Sequence, residues 1–151
     1  MSAEVEQVRA DTVGELLPLV RAYCDFYDSH PTDAALLAIS EELLEEPERE
    51  GIQFLARPAA SGEAIGFATL YWSWETNHGG RIGVMNDLFV VSEHRGGGVG
   101  RALIDACAKA CRERGVRRLI WQTALDNTRA QALYDSVGAQ RSQWLDYGLE
   151  L

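Results

Sequence analysis

Cysteine is scarce in this chain, with three among 151 residues. Cys24, Cys107 and Cys111 cannot all pair with one another and require no oxidising compartment. No apolar run approaches the ~18–20 residues of a bilayer span, so a membrane-embedded protein is not expected. The opening MSAEVEQVRADT lacks the basic and apolar regions of a signal peptide, which makes a cytoplasmic address the expectation. Basic side chains are the minority: 14 Lys and Arg stand against 23 Asp and Glu, a net charge of −9. Such a surface repels phosphate backbones, so nucleic acid is an unsuitable partner and a small cation a better one. What is present is ordinary globular material, 46% hydrophobic and 25% charged. With no repeat, low-complexity block or linker, residues 1–151 read as one domain.

Val5 and Val8 mark a short first strand. Thr12-Val-Gly-Glu15 reads as a capping box, and Leu16, Leu19, Val20, Tyr23 and Tyr27 then recur at helical spacing to about Asp28. Pro18 inside that pattern predicts a kink or a late start. A second helix is expected from Asp33 to Glu46. Ile52–Ala56, Ala64–Glu75 and Arg81–Val91 read as strands, the last two joined as a hairpin through Thr76–Gly80. Arg81–Val91 is nearly all apolar, as when both sheet faces are covered. Helices are expected from Gly98 to Arg114 and from Asn127 to Ser136, with a strand at Arg118–Thr123 between them. A final strand is expected around Trp144–Leu151. This order predicts an α/β (α+β) protein, with helices laid on a mixed sheet.

The informative segment is Arg95-Gly96-Gly97-Gly98-Val99-Gly100-Arg101, placed between a buried strand and an amphipathic helix. A turn without side chains lets backbone amides converge on an anion, and the following helix adds positive potential. A pyrophosphate suits that geometry, with Arg95 or Arg101 adding charge. The nucleotide-binding P-loop fails, because Gly100 is followed by Arg101 and Ala102. The dinucleotide fingerprint fails too, since it requires glycine at Arg101 or Leu103.

Arg95-Gly-Gly-Gly-Val-Gly100 resembles the Arg/Gln-x-x-Gly-x-Gly/Ala signature of the GCN5-related N-acetyltransferases (GNAT). The resemblance extends through Asn86–Val90 and through Asn127–Tyr134 with Gly138, and is nearest to the yeast-type histone, polyamine and D-amino-acid branch. It implies a mostly antiparallel central sheet of about six or seven strands, splayed between strands four and five and flanked by four helices. It also implies acetyl-CoA as cosubstrate, with no metal. The amides of Gly96, Gly97, Gly98, Val99, Gly100 and Arg101 would hold its pyrophosphate. Leu88, Phe89 and Val90 would pair with the pantetheine arm, and Asn127 would bridge to the cofactor. Tyr134 takes the general-acid position, protonating the departing thiolate.

Asp87 is the one carboxylate in an apolar strand, where burying a charge costs several kcal/mol unless it is paired or used. It would bind the incoming ammonium and accept its proton, because an amine of pKa ~10 arrives protonated at neutral pH. Polyamine-acetylating relatives have Glu where this chain has Asn86, which puts more weight on Asp87. Tyr23, Phe26, Tyr27 and Asp28, with Trp72, Trp74 and Glu75, are candidates for an aromatic and acidic amine cage. Trp144, Asp146 and Tyr147 are further candidates. Cys107 and Cys111, spaced i and i+4, read as core rather than metal ligands.

The resemblance implies transfer of an acetyl group to a primary amine of a small molecule, by direct attack in a ternary complex. The alternative acceptors are a protein lysine or N-terminus; the alternative of another class is a non-catalytic acyl-CoA sensor. A homodimer through the terminal strand fits the same resemblance.

Overall fold

The computed structural model describes residues 3–59 and 62–151. Strand β1 (Glu4–Gln7) leads into helices α1 (Val13–Phe26) and α2 (Asp33–Glu45). Strands β2 (Gly51–Arg57), β3 (Gly66–Glu75) and β4 (Gly80–Val90) follow, then α3 (Val99–Glu113), β5 (Leu119–Ile120) and α4 (Thr128–Ser136). The sheet runs β1-β2-β3-β4-β5 in space, antiparallel throughout except for the parallel β4–β5 pair. Alternation along the strands divides the core in two. Ile52, Phe54, Ala68, Leu70 and Met85 meet Leu103, Ile104, Cys107 and Cys111 of α3 on one face. Leu55 and Phe67 meet Leu16 and Leu19 of α1 on the other.

That packing explains one glycine. A Cβ on Gly83 would lie 2.6 Å from Cys111 Sγ, so its absence lets α3 approach β4. Cys107 and Cys111 are both buried and free, and burial pushes the Cys107 thiol up to about 12.

The opening of the chain departs from the pattern in its first helix. Thr12 makes no cap bond to the helix; its hydroxyl accepts from the Arg9 amide at 2.9 Å instead. Glu15 is drawn to Arg57, which also holds Glu6 and so ties β1, β2 and α1 together. The capping box therefore does not form. Helix α1 starts at Val13 and runs through Pro18, neither late nor interrupted. At the other terminus the expected strand around Trp144–Leu151 is absent, and among the described residues the sheet has five strands rather than six or seven. Strand β5 pairs with β4 at two positions only, a short template for a further strand. The segment after Ala139 has no regular structure, and Trp144, Leu145, Tyr147, Leu149 and Leu151 are exposed.

Candidate active site

Strand β4 changes the face it presents halfway along. Its register against β3 pairs Leu70 with Met85 but Thr69 with Asp87, leaving Asn86 as the extra residue of a β-bulge. Strict alternation would put Met85 and Asp87 on the same face. The bulge sends Met85 into the α3 core and turns Asp87 toward α1. There the carboxyl is partly buried, beside the hydroxyls of Thr69 and Tyr23. The Asn86 amide donates to it at 3.1 Å. Burial raises its pKa above the ordinary carboxylate value, and these three hydrogen-bonding neighbours act against the rise. Burial, and then the closeness of Asp87, raises the Tyr23 phenol, and burial with Asp87 nearby pushes the Tyr71 phenol up to about 12.

The opening for a ligand arises where β4 and β5 part. Their pairing ends at Val84–Ile120, so Leu88, Phe89 and Val90 follow without a partner strand on that side. On the far side of this gap, Tyr134 projects from α4, held edge-on to Trp121 with ring centroids 5.3 Å apart. Burial raises its phenol pKa, as does the nearby phenol of Tyr27. Tyr27 in turn stacks on Tyr23 at 4.9 Å. Neighbouring aromatic side chains thus run from Asp87 through Tyr23 and Tyr27 to Tyr134. Burial raises both the Tyr134 phenol and the Asp87 carboxyl above their ordinary values.

The glycine turn closes the cleft at the head of α3. Gly96 and Gly98 adopt φ of +82° and +88°, values that side chains disfavour, and Gly98 caps the helix without any side-chain bond. The first-turn amides of α3 are thereby left for an outside acceptor. Arg95 points elsewhere. Its Nε donates to the Val90 carbonyl at 2.9 Å, and its guanidinium lies over Phe26 and Phe89. Arg101 is half-exposed, 3.9 Å from Asp105. The cation the sequence reading missed is Arg129 on α4, whose Nη2 lies 3.5 Å from the Cβ position of Gly96. Asn127 caps α4, its Oδ1 accepting from the Ala130 amide at 3.2 Å.

The expected amine cage is only partly assembled. Tyr23, Phe26 and Tyr27 cluster at the end of α1, and Asp28 follows them in the left-handed region with His30 on its carboxylate. Trp72 is not with them: it is buried in the α3 core, its indole donating to the Pro47 carbonyl and Arg114 over its ring. Trp74 is 72% exposed at the tip of the β3–β4 hairpin beneath Arg81, and Glu75 pairs there with His78 and Arg118. Strand alternation separates Trp72 from Tyr71, and length carries Trp74 away. Asp146 accepts from Gln122, while Trp144 and Tyr147 face solvent.

Residues 17–139 match the model of the Acetyltransferase (GNAT) family. The protein described as uncharacterized N-acetyltransferase YhfO of Bacillus subtilis (strain 168) is 30% identical over 138 residues, 89% of this chain and 87% of its own. A D-amino-acid N-acetyltransferase of Saccharomyces cerevisiae is 39% identical over 83 residues, covering 55% of this chain and 52% of that relative. Among solved structures, the aminoglycoside N-acetyltransferase AAC(6')-Iy in complex with CoA shares the fold, with a TM-score of 0.82 at 24% identity over 99% of this chain and 95% of that one.

Proposed function

The chain belongs to the GNAT acetyltransferase family, and from that premise we propose that it transfers the acetyl group of acetyl-CoA to a primary amine of a small molecule. The observation that carries this reading is the uncapped, unobstructed head of α3 at Gly98, with Tyr23 and Tyr27 in contact between the neighbourhoods of Asp87 and Tyr134. The glycines fit the donor: at Gly98 nothing lies within 4 Å of the Cβ position, so the backbone is accessible to a diphosphate. Arg129 adds a positive charge beside it, and the unpaired backbone of Leu88–Val90 suits an extended amide chain. Arg95 must first release the Val90 carbonyl for that pairing to be complete.

The chemistry then belongs to two side chains. Asp87 receives the ammonium and takes one proton from it, directly or through a water. The freed nitrogen attacks the acetyl carbon, a C–N bond forms and the C–S bond breaks. Tyr134 donates its proton to the departing sulfur. The nitrogen sheds its second proton through water to the phenolate left on Tyr134, so the products are an N-acetyl amide and the free thiol, with the proton first taken still on Asp87. Tyr23, Phe26, Tyr27 and Asp28 give the acceptor aromatic and anionic surroundings. The small-molecule class draws support from the relative named for D-amino acids and the neighbour named for aminoglycosides. Initial rates with acetyl-CoA and either class of amine test the direct attack. Intersecting double-reciprocal lines are expected; parallel lines, with an acetylated enzyme seen by intact mass, would overturn it.

The exposed terminal segment supports a homodimer. Leu145, Tyr147, Leu149 and Leu151 alternate as in a strand, yet lie in solvent beside the edge formed by β5. A second copy of the chain offers the same edge and the same segment, which is the self-complementarity a two-fold pair requires.

A further inference from the structure

Three polar side chains form a row across the sheet, one strand apart. Gln53 on β2 stands opposite Thr69 on β3, and Thr69 stands opposite Asp87 on β4. The residues flanking the row toward α1 are apolar, with Leu55, Phe67 and Phe89 on the same three strands. Gln53 is 6% exposed and Thr69 wholly buried, so neither is placed there by solvation. A buried hydroxyl and a buried amide are costly unless satisfied, and each has a partner in this row.

The direction of the hydrogen bonds gives the row a sense. Gln53 Nε2 donates to Thr69 Oγ1 at 3.1 Å. A threonine hydroxyl has one proton, and with its oxygen already accepting, that proton is free for the neighbour on the other side. The neighbour is the Asp87 carboxyl, which the β4 bulge has turned onto this face. We infer that Thr69, oriented by Gln53, is a positioning residue that aims the Asp87 carboxylate at the acceptor amine and holds it in its charged form. The inference rests on the reading of Asp87 as the amine-binding group. The remaining titratable groups facing Asp87 are Tyr23 and Cys24 from α1 and Tyr71 from β3. None carries positive charge, and among the described residues no Lys, Arg or His forms an ion pair with it. In the absence of a cation, neutral donors alone favour the carboxylate, and Thr69 is the buried one.

The test reads the carboxyl itself. Carbon-13 NMR titration of Asp87 in the free protein follows its midpoint without any acceptor, in Thr69→Val, Thr69→Ser, Gln53→Leu and the Thr69→Val/Gln53→Leu pair. Loss of the donor in Thr69→Val moves the midpoint up by about one pH unit, while Thr69→Ser keeps it near the wild-type value. Gln53→Leu moves it less, and the pair moves it no further than Thr69→Val, because Gln53 acts through Thr69. The acid limb of acceptor-dependent thiol release moves with it. An unmoved midpoint in folded Thr69→Val, or an equal rise in Thr69→Ser, overturns the inference. Should Thr69→Val fail to fold, an unmoved midpoint in Gln53→Leu does the same. Asp87→Asn separates the two claims: full activity in that variant defeats the catalytic reading, whatever the titration shows.

Discussion

In the proposed reaction Tyr134 gives up a proton and Asp87 takes one at the same pH, and burial raises the pKa of both. For the phenol this preserves the protonated form needed to quench a thiolate. For the carboxyl it raises proton affinity toward that needed to deprotonate an ammonium, at the cost of a higher acid limit. The sign of the pH dependence follows. As pH falls through the Asp87 midpoint, the carboxylate is neutralised and kcat/KM for the amine declines, above the ordinary ~3.9 of an aspartate. At the basic end it declines as the acceptor loses its ammonium proton near its own ~10. A bell-shaped profile that loses its acid limb in Asp87→Asn is the expected result. Tyr134→Phe should reduce turnover by about 10²–10⁴-fold, with the acetyl-CoA Kd from calorimetry little changed. Unaltered turnover would remove the phenol from the reaction.

At the scale of elements, the site depends on two devices: the bulge at Asn86 and the close seating of α3. The second is tested by Gly83→Ala. Its Cβ would meet Cys111 Sγ at 2.6 Å, and overpacking of this kind costs about 1–3 kcal/mol, read as a lowered denaturation midpoint. These devices also mark how far the sequence is legible. The glycine turn and α3 are readable because a positive-φ cluster followed by a 3.6-residue apolar stripe has few other solutions. The α1 cluster of Tyr23, Phe26 and Tyr27 follows from helical spacing. The bulge is invisible in a continuous apolar run, since nothing there fixes which residue of β4 lacks a partner. Without it, the row through Thr69 and the true surroundings of Asp87 could not be drawn. Residue type alone points Trp72 and Trp74 toward the site, whereas face and distance along β3 exclude them. Thr12 and Glu15 matched a capping box, but Arg9 and Arg57 are competing partners that only the fold brings near.

Across the whole molecule, one sheet separates two cores and comes apart where β4 and β5 diverge. No helix among the described residues is long and apolar enough to cross a membrane. The terminal segment carries five large apolar side chains in solvent, the surface that the proposed dimer would cover. Sedimentation velocity of the full chain should give a dimer, and a chain ending at Ser142 should give a monomer; a full-length monomer at micromolar concentration would refute the pairing. In the proposed reaction acetyl-CoA enters along β4 and an amine approaches from α1. The measurement that bears most directly on this is thiol release from acetyl-CoA as D-amino acids, diamines and aminoglycosides are added in turn, with the product identified by mass. The account predicts thiol in proportion to an N-acetylated small amine, abolished together in Asp87→Asn. Tight binding of acetyl-CoA with no thiol released by any amine would contradict it.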